Sequence, residues 1–265
     1  MQATPVWRLL VDPPRAGAAN MAIDEALFEG VQAGGRPVLR LYRWRPPCLS
    51  FGRNQPARGR YDPGLAAASG IAIVRRPTGG LAVLHDRELT YAVAVGAGEI
   101  GGPRATYLAL NRALVRALAR LGLPAAVAPP RSDRPLPLDR AAGHPCFAEA
   151  APGEVAVDRR KLVGSAQRCE RRTLLQHGSI LLDGDQSAVT RLQTGPGPHP
   201  VSDSTSVRQA LGRLPADGEL EAAVMAGFEQ ELGIRLAEGA LLPAEVERAA
   251  RIEEKYRSPE WTWRR

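Results

Sequence analysis

The stretch EVAVDRRKLVGSAQRCERRTLLQHGSILL, residues 154–182, indicates the fold class. Its first part, EVAVDRRKLVGSAQR, is typical of a β-hairpin with Asp158, Arg159 and Arg160 at the turn. The β-rich segment TLLQHGSILL (173–182) predicts a further strand directly after it. The chain therefore contains strands that follow one another in a run.

Outside this stretch, further strands are interleaved with helices. Strands are expected at 6–11, 37–44, 48–52, 71–76, 81–85 and 89–95. Helices are expected at 21–32 with Asn20 as N-cap, 61–69, 104–121, 185–193, 217–232 and 243–256. Because strands come in runs, with helices between and after them, the pattern predicts an α+β or mixed α/β domain rather than a regular βαβ array.

Composition narrows the class of protein. A chain of 265 residues with 44% apolar content can bury a full core, and its formal charge of +7 suits an acidic partner. No nucleic-acid motif accompanies that charge, so nucleic acid is not expected as a partner. Three cysteines without a CxxC pair argue against a disulfide scaffold or a structural zinc site. With no signal peptide or membrane span in the sequence, a cytoplasmic protein is expected.

Cys146 and Lys161 are the candidate catalytic pair. Lysine is rare, accounting for only two of the 35 basic residues, and one of the two stands 15 positions after a cysteine that directly follows the irregular segment 129–145. A thiol is nucleophilic only as thiolate, and a nearby ammonium favours that form. The small residues Gly164, Ser165 and Ala166 would let a ligand approach the strand closely.

Simpler interpretations stand beside this one. Cys146 could be a small buried hydrophobe and Lys161 a solvent-facing residue of its strand. Cys169 is a rival nucleophile because arginines surround it, although its neighbours resemble an exposed turn. Cys48 is expected in the core, and Lys255 has no assigned role.

The segment VRRPTGGLAVLHD (74–86) is the second candidate element of a site. Two glycines after Pro-Thr open the backbone, which suits contact with a carbonyl, phosphate or carboxylate. The spacing matches neither the Rossmann nor the P-loop pattern, so a plain hairpin turn is the alternative. A structural role is the alternative for His85.

Six segments together resemble the lipoate–protein ligase and octanoyltransferase family. They are NMAIDEAL (20–27), LYRWRPPCLSFGRNQ (41–55), VRRPTGGLAVLHDRELTYAV (74–93), KLVGSAQR (161–168), LLQHGSILLD (174–183) and KYRSPEW (255–261). The resemblance implies the catalytic fold shared with biotin–protein ligases and class II aminoacyl-tRNA synthetase cores, a mixed, mostly antiparallel sheet flanked by helices. It implies a single catalytic domain over 1–265, with a core at about 18–195 and a C-terminal helical part at about 207–265.

The resemblance also implies roles for individual residues. With a cysteine in the loop before KLVGSAQ, the chain resembles the branch of octanoyl-carrier-protein:protein octanoyltransferases. This resemblance implies that Cys146 would carry the acyl thioester and that Lys161 would favour the thiolate of Cys146. Leu81 stands where relatives generally carry Arg or Gly. The resemblance implies that six positions bind substrate: Arg76, Thr78, Gly79, Gly80, Ala82 and His85. The small residues of the strand add Gly164 and Ala166 as substrate-binding positions.

The implied reaction moves an octanoyl group from octanoyl-acyl carrier protein to a lysine of a lipoyl domain, such as glycine cleavage H protein or an E2 subunit. No cofactor or metal is expected, because the acyl group arrives as a thioester. One alternative is an ATP-dependent lipoate ligase, with ATP and Mg²⁺, in which Lys161 contacts the adenylate and Cys146 is incidental. The other is a factor that moves lipoyl or octanoyl groups between lipoyl domains, or only binds them.

Overall fold

Two sheets form the centre of the molecule. The structure, a computed structural model, describes residues 3–129, 146–147, 150–184, 186–194 and 204–265. The strands are β1 Val6–Val11, β2 Val38–Tyr42, β3 Cys48–Phe51, β4 Ala72–Arg75, β5 Val83–His85, β6 Glu88–Gly96, β7 Ala125–Val127, β8 Val155–Val157, β9 Arg160–Glu170, β10 Thr173–Leu181 and β11 Arg235–Glu238. Within these residues, eight strands form the main sheet in the order β11-β1-β2-β6-β10-β9-β8-β7, and β4-β3-β5 form a smaller one.

The main sheet is mostly antiparallel. Each pairing from β2 through β6, β10, β9 and β8 to β7 is antiparallel, whereas β1 pairs in parallel with both β2 and β11. In the smaller sheet β3 is parallel to β4 and antiparallel to β5. The mixed, mostly antiparallel sheet predicted from the sequence is therefore confirmed.

Two tight hairpins connect β8, β9 and β10. Asp158 and Arg159 have φ of 48° and 65°, and Arg171 and Arg172 have φ of 46° and 63°. Two central residues with positive φ match the two-residue turn that best fits the twist of antiparallel strands. The stretch 154–182 thus folds as its pattern predicts.

Helices cover both faces of the main sheet. Their bounds are α1 Gly17–Gln32, α2 Pro63–Ala68, α3 Pro103–Arg120, α4 Ser187–Arg191, α5 Val207–Leu211, α6 Glu219–Leu232, α7 Pro243–Arg257 and α8 Pro259–Thr262. Helix α3 packs against α6, and α1 packs against α7. No helix in the described ranges is both long and apolar enough to cross a membrane.

Alternating side chains of the strands divide the hydrophobic core into two parts, one under each pair of helices. On β2, Leu39 and Leu41 belong to the cluster that contains α3 and α6 residues, whereas Val38 and Tyr42 belong to the cluster of α1 and α7. Because successive side chains of a strand point to opposite faces, one apolar strand serves both layers. Burying each large side chain contributes roughly 1.5–3 kcal/mol.

Asn20 is not the N-cap that the sequence predicted. Helix α1 begins at Gly17, four residues before the predicted start, and the Asn20 side chain is fully buried. Its amide nitrogen donates to the carbonyl oxygens of Arg15 (3.2 Å) and Arg43 (3.1 Å), and its Oδ1 accepts from Arg40 at 2.9 Å. The role of Asn20 is therefore to make tertiary hydrogen bonds, not to cap the helix.

The described C-terminal part is not only helical. Strand β11 extends the main sheet by pairing with β1, from Val6 opposite Arg235 to Leu9 opposite Glu238. Four short elements, β7, β11, α5 and α8, were not predicted from the sequence. Residues 130–145, most of the predicted irregular segment, lie outside the described residues.

Candidate functional site

A cavity of about 370 Å³, including its open mouth, lies where the two sheets meet. Its walls come from α1, β2, β5, β6, β9, β10 and the segment after β4. Met21, Trp44 and Val83 supply apolar surface. Five of the predicted site residues line it: Arg76, His85, Cys146, Gly164 and Ala166.

Cys146 and Lys161 are in contact. The Lys161 Nζ lies 3.5 Å from the Cys146 Sγ and donates to the Cys146 carbonyl oxygen at 2.6 Å. The Cys146 amide donates to the Ala82 carbonyl oxygen at 2.9 Å, which anchors the thiol residue to the segment before β5. Ala82 itself is buried among apolar residues and contributes its backbone, not its side chain, to the site.

A third group, Glu154, completes the surroundings of the ammonium. Its Oε2 lies 2.6 Å from Lys161 Nζ, and both side chains are buried. Burial opposes the charged form of Lys161. Electrostatic interactions and hydrogen bonds with Cys146 and Glu154 outweigh that effect and raise the pKa of Lys161 above its usual value. Lys161 therefore stays an ammonium beside the sulfur at neutral pH.

Arg76 is a second buried cation, and it lines the cavity. Its guanidinium donates to the Ser50 hydroxyl at 3.0 Å, to the Gly79 carbonyl at 2.8 Å and to the Leu81 carbonyl at 2.7 Å. Burial lowers the pKa of Arg76, and the charge of Cys146 opposes that shift. Arg76 thus fixes the segment 76–81 and adds positive charge near the sulfur.

The backbone conformation of the TGG segment requires a glycine at Gly80, whereas a Cβ added to Gly79 would meet no atom within 4 Å. Gly80 has a φ of +90°, in the region that favours glycine. A Cβ added to Gly52, at the end of β3, would lie 1.9 Å from the Gly80 carbonyl oxygen. Gly79 and Leu81 contribute carbonyl groups to Arg76, so the unusual Leu81 side chain does not alter these contacts.

Thr78 does not line the cavity but bonds to a residue that does. Its Oγ1 lies 2.6 Å from Nε2 of His177, and Nδ1 of His177 lies 3.0 Å from Oδ2 of Asp24. Asp24 also accepts from Arg40 and Tyr42, each at 2.8 Å. Burial raises the pKa of Asp24, but the hydrogen bond from His177 and the charge of Arg40 outweigh it and lower the pKa. Asp24 is therefore a carboxylate.

His85 belongs to a parallel network. Its Nε2 lies 2.7 Å from the Ser50 hydroxyl, its Nδ1 lies 2.8 Å from Oε1 of Glu88, and its ring stacks on Trp44 at 4.0 Å. Because Ser50 also accepts from Arg76, this network orients the buried guanidinium. The structure gives His85 both a structural role and a place in the cavity wall.

Comparison with known proteins identifies the family of this chain. The family described as the lipoyl protein ligase A/B catalytic domain matches residues 16–229. Octanoyltransferase LipM of Kyrpidia tusciae is 39% identical over 98% of this chain and 99% of its own length. Octanoyltransferase LipM of Symbiobacterium thermophilum is also 39% identical, over 98% of each chain.

A crystal structure of lipoate-protein ligase A bound with ATP has a TM-score of 0.79 and 25% identity, covering 97% of this chain and 98% of that one. The chain belongs to the lipoyl protein ligase A/B catalytic domain family. The family and the enzyme class, acyltransferase, that the sequence predicted are confirmed.

In this member of the lipoyl protein ligase A/B catalytic domain family, the other two cysteines lie apart from the site. Cys48 is fully buried in the core of α1 and β2, where burial raises the pKa of its thiol. Cys169 is exposed near the end of β9. In the described ranges, no group of three or more His, Cys, Asp or Glu residues is arranged to hold a metal ion.

The sequence analysis did not identify three titratable residues at or near the site of this protein: Asp24, Glu154 and His177. Asp24 and His177 each stand inside an apolar run, in NMAIDEAL and TLLQHGSILL. Charged residues are almost never fully buried unless they are paired, so each run contained a signal for a buried polar partner. The identity of that partner depends on the tertiary fold.

Proposed function

We propose that this chain transfers an octanoyl group from octanoyl-acyl carrier protein, through a thioester on Cys146, to a lysine of a lipoyl-domain protein. The names of the LipM relatives support octanoyl transfer. The observation that carries the mechanism is the 3.5 Å contact between the Lys161 ammonium and the Cys146 sulfur. A buried ammonium beside a thiol stabilises the thiolate, which is the nucleophilic form.

The first step is acylation of Cys146. The thiolate attacks the thioester carbonyl of the donor, the bond to the donor sulfur breaks, and the octanoyl group forms a new thioester with the enzyme. Met21, Trp44 and Val83 offer apolar surface for the acyl chain. The buried cations Lys161 and Arg76 favour negative charge on the sulfur before attack.

The second step is aminolysis of that thioester. A lysine amine of the acceptor attacks the carbonyl carbon, the new amide forms, and Cys146 leaves again as thiolate. Since the acyl group is already activated as a thioester, neither ATP nor Mg²⁺ is needed. The acceptor is a lipoyl domain, such as glycine cleavage H protein or an E2 subunit. The formal charge of +7 would favour encounter with acidic carriers.

Intact mass after incubation with octanoyl-acyl carrier protein tests the proposal. A hydroxylamine-labile octanoyl adduct is expected on the wild-type protein and absent from Cys146→Ser. Cys169→Ser is the matched control, because that thiol is exposed and outside the cavity, and this variant should acylate normally. Product that requires ATP and free acid, and that persists in Cys146→Ser, would instead identify a ligase.

A further inference from the structure

Lys161 lies close to the thioester that the proposed reaction forms on Cys146. Its Nζ is 3.5 Å from the Cys146 sulfur, and the carbonyl carbon of an acyl group on Cys146 is one bond from that sulfur. Reacting atoms that are ready to combine lie about 3–3.5 Å apart. A neutral Lys161 amine would therefore compete with the lysine of the acceptor protein for the same octanoyl group.

Such an internal transfer would inactivate the enzyme. The Lys161 nitrogen would bond to the carbonyl carbon, the carbon–sulfur bond would break, and the proton lost by the nitrogen would pass to the Cys146 sulfur. The products would be an octanoyl amide on Lys161 and a thiol on Cys146. Because an amide is much less reactive toward nucleophiles than a thioester, the octanoyl group could not move on to the acceptor.

Protonation prevents this attack, because an ammonium has no lone pair. Before acylation, burial opposes the charged form of Lys161, whereas Cys146 and Glu154 favour it and raise the pKa of the lysine. Acylation converts the sulfur into a neutral thioester. The Cys146 carbonyl oxygen, at 2.6 Å, is a neutral acceptor that fixes the position of Nζ. In the described part of the chain, Glu154 is then the remaining acidic partner of Lys161.

Glu154 is held in place for this contact. Its Oε2 lies 2.6 Å from Lys161 Nζ and accepts a hydrogen bond from the Ala151 amide at 2.7 Å. The carbonyl of the preceding residue, Gly153, accepts from the Asn111 side chain at 2.8 Å, which anchors the turn to helix α3. Since the Glu154 side chain is only 4% exposed, solvent ions screen its attraction to the ammonium weakly.

We propose that Glu154 is a positioning residue that protects the acyl-enzyme by keeping Lys161 protonated, so that the octanoyl group passes to the acceptor lysine and not to Lys161. The inference rests on the proposed function. The ion pair of Lys161 and Glu154 has no net charge and needs no charge on the sulfur, so it persists while Cys146 is acylated. The same pair keeps an ammonium beside the thiol for the first half-reaction.

Packing around the lysine does not supply the same protection. A Cβ added to Gly164 would lie 3.0 Å from Cε of Lys161, and Nζ lies 4.8 Å from the centre of the Phe147 ring. These contacts confine the lysine side chain, but they confine it beside Cys146. Confinement next to the thioester would speed the internal transfer if the amine were neutral. The charge of Lys161, and therefore Glu154, is what prevents it.

Glu154→Gln tests the inference, because glutamine keeps the shape of the side chain and removes its charge. Octanoyl-enzyme is formed from octanoyl-acyl carrier protein, separated from the donor and incubated without an acceptor. Intact mass before and after hydroxylamine distinguishes the thioester, which is cleaved, from an amide, which is not. Peptide mass mapping locates the amide. Glu253→Gln is the matched control, since it removes a carboxylate whose partner, Arg257, is exposed.

The measured quantity is the hydroxylamine-resistant fraction of the total adduct over time, which a slower first step does not change. Wild type and Glu253→Gln should keep a labile adduct. In Glu154→Gln, the amide on Lys161 should form at least about tenfold faster, because the neutral fraction of an amine rises about tenfold for each unit by which its pKa falls. Glu154→Asp, whose carboxylate is drawn back by one methylene, should be intermediate. This variant decides the test if Glu154→Gln does not fold or takes up no octanoyl group.

Three results would overturn the inference. One is a resistant fraction in the Glu154 variants that stays at the wild-type level, which would leave Glu154 with a structural role only. Another is a resistant adduct on a residue other than Lys161. A third is a wild-type protein that acylates its own Lys161 as fast as it acylates a lipoyl domain. If the wild-type protein forms no acyl-enzyme at all, the proposed function fails and the inference with it.

Discussion

Lys161 occupies a site shaped for an ammonium group. Its Nζ meets the Cys146 carbonyl, the Cys146 sulfur and the Glu154 carboxylate, which are partners for all three of its hydrogens. The side chain is 1% exposed, and its Nζ lies 4.8 Å from the centre of the Phe147 ring. A planar guanidinium has five donors and a larger volume, so the same pocket cannot hold it in the same position.

We therefore expect Lys161→Arg to lose most of the acylation activity even though the charge is kept. The rate of octanoyl-enzyme formation should fall by about 100-fold or more, because the cation moves away from the sulfur. Single-turnover mass spectrometry measures this rate. Lys255→Arg is the matched control, since it changes the other lysine of the chain, and it should acylate normally. Near-normal acylation by Lys161→Arg would show that any cation suffices.

The pairing of Cys146 with Lys161 could be predicted because both residues stand out in the sequence. Lys161 is one of only two lysines among 35 basic residues, and Cys146 directly follows an irregular segment. Glu154 and His177 could not be assigned in the same way. The partner of His177, Asp24, lies 153 positions away in the sequence, and only the fold brings them together.

At the scale of one element, β9 holds the ammonium in place through a glycine. A Cβ added to Gly164 would lie 3.0 Å from Cε of Lys161 and 3.0 Å from Cζ of Phe147. Such distances are shorter than ordinary van der Waals contact. The sequence suggested that small residues here admit a ligand; the structure shows that Gly164 also admits the Lys161 side chain and the Phe147 ring.

Gly164→Ala should consequently reduce both the rate of acylation and the stability of the fold. The new methyl group must displace Lys161 or Phe147, and a shift of the ammonium by a fraction of an ångström weakens its contact with the sulfur. We expect the acylation rate to fall at least tenfold, with about 1–3 kcal/mol lost from the free energy of unfolding.

The acylation assay and chemical denaturation measure the two effects of Gly164→Ala separately. Gly98→Ala is the control, because an added Cβ at this exposed turn meets no atom within 4 Å. Its acylation and stability should equal those of the wild-type protein. Wild-type acylation by Gly164→Ala would mean that the position of Lys161 matters less than its charge.

Most elements could be predicted because they carry their own local pattern. The hairpin turn at Asp158 and Arg159 needs only a polar segment between strands, and α3 shows a regular apolar stripe. Strands β7 and β11 have three and four residues, too few for a period to appear. Their place in the sheet comes from pairing with β8 and β1, which a local pattern does not encode.

At the scale of the whole molecule, Glu25 of α1 connects segments that are distant in sequence. It accepts from Arg168 of β9 at 2.9 Å, from Tyr256 of α7 at 2.8 Å, and from Lys255. Lys255 also lies over the rings of Tyr256 and Trp261. The second lysine, which had no assigned role, thus joins the C-terminal helices to α1. A single domain over 1–265 remains a prediction.

This cluster predicts how stability depends on pH. Burial raises the pKa of Glu25, but hydrogen bonds and charge from Lys255 and Arg168 outweigh it, so the pKa lies below the unfolded value of 4.5. The charged form is therefore favoured by folding. Its contribution should be complete well above pH 4.5 and should disappear as the pH falls through the lowered pKa of the folded protein.

Glu25→Gln removes that charge while keeping the shape of the side chain. Relative to wild type, its free energy of unfolding should be lower by about 3 kcal/mol at pH 7, because Lys255 and Arg168 lose a buried partner. The difference should shrink as the pH falls below 4.5 and through the lowered pKa of the folded Glu25 carboxyl. Denaturant titrations across this pH range measure both quantities.

Glu253→Gln provides the matched control, since its partner Arg257 has a side chain that is 71% exposed. An exposed pair four residues apart on a helix contributes about 0.3–0.5 kcal/mol, so this variant should follow the wild-type curve closely. If the Glu25→Gln difference stayed constant from pH 7 to pH 3, packing rather than charge would account for it. The ionised Glu25 would then not be what connects α1 to the C-terminal helices.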